Sequence, residues 1–350
     1  MRFHIIFTCL AFLLVSPMHA AVVLQYHHIS TETPASTSTS PERFAMHLEY
    51  LDENGFEIVP LQDLVDQLAT GKPLPDRTVA ITFDDGYISI YDTAWPLLKE
   101  KGWPFTVFVN SEPHDQRKPL FMNWDQLREL HGAGATIANH SVSHPYLLQL
   151  LDGADPSLGK DLVRHEINRA QGRIEAEIGT APMLFAYPFG EFNNTVLEVV
   201  GELGYTGFGQ QSGPLAAFND PRALPRFPFG GSYGDRQDFA TKVNSLPMPL
   251  AAGANPVRWV SENGVELNDL VLKGPSVRPV LLLSFEDDFD TGRVNCFASR
   301  QGAIPLATEN AWLRVQAEKP FSTGRSRYNC TASSGQRGRV YWSSQRWIGR

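Results

Sequence analysis

The segment VAITFDDG (79–86) ends an apolar run on two adjacent carboxylates, Asp84 and Asp85. Like charges this close raise each other's pKa and cost stability unless a positive charge sits with them. The pair therefore asks for a cation. About 55 residues further on, NHSVSH (139–144) holds His140 and His144 four positions apart. On one helical turn, or a loop curled like one, both imidazoles face the same way. Two imidazoles and one carboxylate form a divalent-metal site with open positions for water and substrate. Alone, an H-x-x-x-H is most often a pair of surface histidines; beside an FDDG strand end it becomes a strong signal.

These side chains need a scaffold that delivers them to one place. From residue 21 to about 245, apolar runs alternate with helical stretches. AVVLQYHHIS, RTVAITFDD, PFTVFVN, TIANHS and MLFAYPFG read as strands. A helix opens at Ser40-Pro41-Glu42, and a longer one over 161–178 carries Leu162, Ile167, Ala170, Ile174 and Ile178 at roughly helical spacing. Such alternation means parallel strands with crossover helices. The expected class is α/β, a distorted (β/α) barrel, with functional groups at the C-terminal strand ends. Asp84, Asp85, His140 and Pro188-Phe189 all fall there, as do His27 and His28, of which strand alternation sends only one inward. After about residue 250 the pattern changes to short β-like runs separated by turns, including RVNCFAS, WLRVQA and RYNCTA. Residues 256–350 are expected to form a small all-β, sandwich-like domain behind a catalytic domain at 21–250.

The chain of 350 residues has a formal charge of −8, unevenly spread. Residues 256–350 hold 13 lysines and arginines against 9 acids, while residues 21–255 hold 16 against 29. The acidic part is a poor nucleic-acid binder; the basic part could meet an anionic polymer or glycan. Residues 1–20, with Arg2 before the apolar stretch Ile5–Val15, read as a secretory signal cut near Ala20, too short to span a bilayer. A periplasmic or secreted protein with no lasting membrane insertion follows. Cys9 leaves with that leader, and the remaining Cys296 and Cys330 invite one disulfide, worth about 3 kcal/mol by loop entropy.

TFDDGY, HSVSH and FAYPFG together resemble the polysaccharide deacetylases, carbohydrate esterase family 4, over residues 21–245. The opening VVLQYHHIS and the stretch through FDDGYISIYD are most similar to the branch acting on poly-N-acetylglucosamine. The resemblance implies Asp84 as general base, Asp85, His140 and His144 as ligands of a divalent metal, zinc first and cobalt or nickel next, and Ser141 as a brace of the histidine loop. It implies the Phe189 N–H as oxyanion donor. Zinc lowers the pKa of its water; Asp84 would take the proton and hydroxide would attack an N-acetyl carbonyl. Two departures stand out. Ala186 occupies the place of the family's base-orienting arginine, which Arg226 in LPRFPF could replace. No histidine follows His165, so the acid for the leaving amine falls to His27, since this branch commonly starts with Tyr-His there. The substrate expected is an N-acetylated envelope or extracellular polysaccharide. A carbohydrate-binding protein with a degenerate catalytic domain is the alternative. A two-carboxylate glycosidase ranks last, because adjacent acids cannot straddle a glycosidic bond.

Overall fold

The computed structural model of the protein describes residues 20–153, 155–252, 256–274 and 277–350. The expected leader, apart from Ala20, lies outside them. Strand β1 (Ala21–Tyr26) is buried along its whole length. It belongs to an eight-stranded, all-parallel sheet with β2 (Glu57–Ile58), β3 (Thr78–Asp85), β4 (Thr106–Val109), β5 (Thr136–Asn139), β6 (Leu184–Ala186), β7 (Thr206–Phe208) and β8 (Phe227–Pro228). The spatial order is β8-β1-β3-β4-β5-β6-β7, with β2 also on β3. Helices α1 (Pro41–Glu53), α2 (Leu61–Ala69), α3 (Trp95–Lys101), α4 (Trp124–Gly132), α5 (Pro156–Ile178) and α6 (Asn194–Glu202) link the strands, and α7 (Arg236–Val243) follows β8. The chain ahead of β8 bonds to β7, through Leu224 N to Gly207 O (2.8 Å) and Gly209 N to Leu224 O (2.9 Å). The sheet thus curls into the expected distorted barrel.

Strand alternation sorts the side chains. Val22, Leu24, Tyr26, Val79, Ile81 and Phe83 pack outward in one cluster with Phe44 of α1 and Leu127 of α4. The other face carries Ala21, Val23, Ala80, Ala138 and Ala186, small residues that leave room for Phe108 and Phe208. Those two rings meet at 5.6 Å although their strands are not neighbours, so this is the concave face. Asp84 shares the parity of Ala80, and His140 that of Ala138. The helix expected over 161–178 starts earlier, at Pro156 after the N-cap Asp155. Its buried stripe is Val163, Ile167, Ala170 and Ile174; Leu162 is one position off that stripe and 42% exposed. Two helices of under two turns, Ser111–Asp115 and Leu147–Leu150, carry too little periodicity to be read from sequence. No helix among the described residues is long and apolar enough to cross a membrane.

The C-terminal part forms two further sheets. One is ordered β9-β18-β17-β13-β14, with β11 also on β18, from Leu246–Pro247, Val340–Gly349, Gly324–Ser333, Val294–Ala298, Gly302–Ile304 and Val271–Leu272 respectively. The other is β10 (Val257–Val260), β12 (Val280–Leu283), β16 (Trp312–Gln316) and β15 (Leu306–Glu309). Cys296 and Cys330 sit directly opposite each other on β13 and β17 and are joined by a disulfide. Leu281, Val315, Tyr328 and Trp347 from both sheets share one apolar cluster with Phe185, Phe192 and Val196 of the barrel part. The β-rich part and the barrel are therefore packed through a common core.

His47 of α1 ties three elements together. Tyr26 Oη of β1 donates to its Nδ1 (2.9 Å), and its Nε2–H donates to the Gly234 carbonyl (2.7 Å). Its ring stacks on Phe239 of α7 at 3.9 Å. Burial pushes the imidazole down to about 4, against the hydrogen bond to Gly234. The unfolded chain therefore binds a proton that the native state refuses between about pH 6.5 and 4. Stability should fall as pH drops through that window, by up to about 1.4 kcal/mol per unit and about 3 kcal/mol in all from this group. Denaturant titrations across the window should show a pH slope in the wild type that becomes shallower by this amount in His47→Gln. Parallel curves for the two proteins would refute the assignment.

Candidate active site

The two adjacent carboxylates are held in different ways. Asp84 is the last inward residue of β3 and fully buried. Arg226, just ahead of β8 and also fully buried, grips it with two nitrogens, Nη1 to Oδ1 at 2.7 Å and Nη2 to Oδ2 at 2.8 Å. Gln25 of β1 donates to Oδ2 at 2.5 Å. Arg226 is itself fixed by Gly209 O (3.0 Å) and Thr82 Oγ1 (3.2 Å). Burial works to raise the Asp84 carboxyl, but the charge of Arg226, then that of His140, outweighs it and lowers the pKa. Asp84 is thus anionic, with spare acceptor capacity on Oδ1.

Asp85 breaks the strand alternation. Its φ is +71°, followed by Gly86 at +75°. A side chain at Gly86 has no room, because His114 Cε1 lies 2.7 Å from where its Cβ would be. The reversal turns the Asp85 carboxylate toward the histidine loop. His140 Nε2 and His144 Nε2 each lie 3.4 Å from Asp85 Oδ1. Burial again works to raise the carboxyl, and the hydrogen bond and charge of His140 hold it well below the usual carboxylate range.

The histidines lie on an irregular loop, not a helical turn. His140 Nδ1 donates to the Ala186 carbonyl at 2.7 Å, which fixes the ring with Nε2 facing Asp85. Asn139 Oδ1 accepts from Ser141 N (2.9 Å), and Ser141 Oγ accepts from His144 N (3.1 Å). Glu166 of α5 accepts from the N–H groups of Val142 and Ser143, both at 3.0 Å. Ser141 (φ +72°) and His144 (φ +56°) adopt left-handed backbone. Burial disfavours a charge on His140, yet the hydrogen bond to Asp85 and both carboxylates raise its pKa. Burial and then the charge of His140 push His144 down to about 4. One ligand atom each from Asp85, His140 and His144 lie within 4.8 Å of one another, and this group could hold a metal ion. Two imidazole nitrogens and a carboxylate oxygen suit a borderline divalent cation.

A cleft of about 720 Å³ opens over this group and is lined by Asp85, His144, His27 and Phe189. His27 follows the concave parity of β1, whereas His28 turns away and stacks on Tyr87 at 3.5 Å. Phe189 has φ +57°; its ring stacks on Tyr146 at 3.9 Å and meets His144 at 4.4 Å. Around it the turn's hydrogen bonds run from Gly190 N to Tyr187 O and from Glu191 N to Pro188 O, leaving the Phe189 N–H outside them. The stacking on Phe189 holds Tyr146 at the site. Gln25 and Glu166 were not visible in the motifs. Gln25 is the one polar residue in AVVLQY, a signal that strand alternation could have exploited. Glu166 sits unmarked on a charged helix.

A family model described as polysaccharide deacetylase matches residues 71–208. Residues 71–208 are thus similar to a polysaccharide deacetylase domain. Among curated proteins, it is 26% identical over 249 residues to the Escherichia coli K12 protein named poly-beta-1,6-N-acetyl-D-glucosamine N-deacetylase, covering 60% of this chain and 36% of that one. A Staphylococcus aureus protein of the same name is 23% identical over 234 residues, covering 59% of this chain and 78% of that one. The solved structure of IcaB from Ammonifex degensii superposes with a TM-score of 0.53 at 26% identity, covering 60% of this chain and 92% of that one. The chain thus spans little more than a third of the E. coli relative's length. In this chain the arginine on the first aspartate comes from the segment before β8, and Ala186 supplies only its carbonyl, to His140.

Breaking a fully buried ion pair leaves a charge with no partner. Arg226→Ala should cost about 3–5 kcal/mol in denaturant titrations, and the double change Arg226→Met with Asp84→Leu should recover most of that loss. A cost under about 1 kcal/mol for the single change would contradict the pairing.

Proposed function

We propose that the protein is a metal-dependent N-deacetylase of an N-acetylated envelope or extracellular polysaccharide, with poly-N-acetylglucosamine the first candidate. The observation that carries this reading is the convergence of Asp85, His140 and His144 on one point while Asp84 is held apart on Arg226. A glycan binder has no use for that division. Asp85, His140 and His144 would hold the cation, zinc first. Bound there, a divalent cation supplies Lewis acidity that polarises an amide carbonyl and makes a hydroxide nucleophile accessible near neutral pH.

The side chains divide the remaining work. Asp84, kept anionic by Arg226, accepts the proton of the attacking water at Oδ1. Oxygen adds to the acetyl carbon, and the Phe189 N–H stabilises the oxyanion. His27, across the same cleft, gives a proton to the leaving nitrogen as the C–N bond breaks. The products are acetate and a free amine on the sugar. The Cys296–Cys330 disulfide and the leader-like residues 1–20 favour an exported protein.

Purified protein should release acetate from poly-N-acetylglucosamine or chitin oligomers, lose that activity to a chelator, and regain it with zinc, cobalt or nickel. Asp84→Asn should keep one metal equivalent by elemental analysis and lose about 10²–10⁴-fold in kcat. No acetate from any acetylated glycan with any of the three metals would end the reading.

A further inference from the structure

One wall of the cleft is not built by the barrel. Arg325, Arg327 and Asn329 of β17 and Trp342 of β18 line the same cleft as His27, Asp85 and His144. Arg325 Nη1 donates to the Phe189 carbonyl at 2.9 Å, so β17 is pinned to the turn at the site. Past this point the cleft runs on into a groove of about 510 Å³, sharing Gln210, Tyr233, Arg325, Arg327 and Asn329 with it. The groove is lined by four arginines, Arg300, Arg325, Arg327 and Arg346, and no carboxylate lines it.

The charge in this groove is poorly balanced. Arg346 is only 7% exposed, and none of its three guanidinium nitrogens has a hydrogen-bond partner. Burial pushes it down to about 9, with the charge of Glu191 opposing, so it is a cation at neutral pH. Arg325 stands 3.7 Å from Glu191, Arg300 donates to Ser322, and Arg327 makes no side-chain ion pair or hydrogen bond among the described residues. A buried guanidinium without acceptors is costly. The Arg346 nitrogens are enclosed, with the guanidinium over the Phe192 ring at 4.7 Å, so it acts on the groove as a buried positive charge; the half-buried Arg327 offers the planar fork that matches the two oxygens of a carboxylate. Trp342 lines the adjoining cleft, where an aromatic side chain suits a sugar ring.

We propose that the C-terminal β part sets the specificity of the catalytic cleft and selects acidic glycans, in which a sugar near the N-acetylated one carries a carboxylate that docks on Arg327, next to the enclosed charge of Arg346. This inference rests on the deacetylase reading for the identity of the neighbouring sugar. The carboxylate can belong to a uronate ring or to a lactyl ether; the chemistry seen by the arginines is the same.

The test uses the full-length protein supplied with zinc and three tetrasaccharide probes: neutral chitotetraose, one alternating N-acetylglucosamine with glucuronate, and one alternating N-acetylglucosamine with N-acetylmuramate. At least one acidic probe should exceed chitotetraose about tenfold or more in kcat/KM at low salt, the size expected for a charged hydrogen bond. Which acidic probe wins identifies the source of the carboxylate. The advantage should shrink at about 0.5 M salt and in both Arg327→Gln and Arg346→Gln. Arg327 is only half-buried, so its variant keeps the test alive if the Arg346 variant fails to fold. Chitotetraose turned over as fast as both acidic probes would overturn the proposal, as would an advantage untouched by Arg327→Gln. Calorimetric binding of the same probes to Asp84→Asn separates the two readings. Selective binding of an acidic probe without acetate release sinks the deacetylase and keeps the groove; equal release from all probes does the reverse.

Discussion

Two carboxylates that follow each other in a chain and lose nearly all solvent must each find a separate positive partner. Here the backbone does the separating. Asp84 completes the concave face of a strand and meets a buried arginine, while Asp85 is swung out by a left-handed residue toward two imidazoles. Coulomb energy in a dry site is several times larger than at a surface, so the arrangement tolerates little change. Neither aspartate could exchange roles with the other, because only one lies on the inward parity of β3. The small inward residues of the sheet, the glycine at 86 and the packing of His114 all serve this single division.

Much of this was legible in the residues, for a physical reason. Parallel strands buried on both faces write themselves as apolar runs, and the barrel places chemistry at their ends. FDDG and NHSVSH therefore point to the group of Asp85, His140 and His144 that lies together in the fold, and strand parity separates His27 from His28. Short helices were silent, since one turn has no period to detect. Spacing alone does not fix the phase of an amphipathic stripe, so Leu162 falls on the exposed side and Val163 next to it does the packing. Arg226 was reachable only as a candidate, because pairing across 142 positions leaves no local trace. Gln25 and Glu166 act through contacts of the same long-range kind.

The β-rich tail was expected as a separate small domain, and its change of pattern near residue 250 is real. Its two sheets nevertheless bury residues in the same cluster as Phe185, Phe192 and Val196. Composition could not reveal this, because an apolar residue carries no label for the surface it will cover. The sequence shows an arginine excess in the tail without showing which surface carries it. In the fold, β17 and β18 bring that excess to the edge of the cleft over Asp85 and His144.

Four residues at the site, Asp85, Ser141, His144 and Phe189, occupy backbone that side chains normally avoid. Each position is thereby closed to valine, isoleucine and threonine on conformational grounds alone, before any chemistry is considered. Glycine would relax all four, so a search for hardier variants that scores only melting temperature would drift toward glycine at these places. The most thermally robust descendants of this chain would then be the ones least able to turn over a substrate.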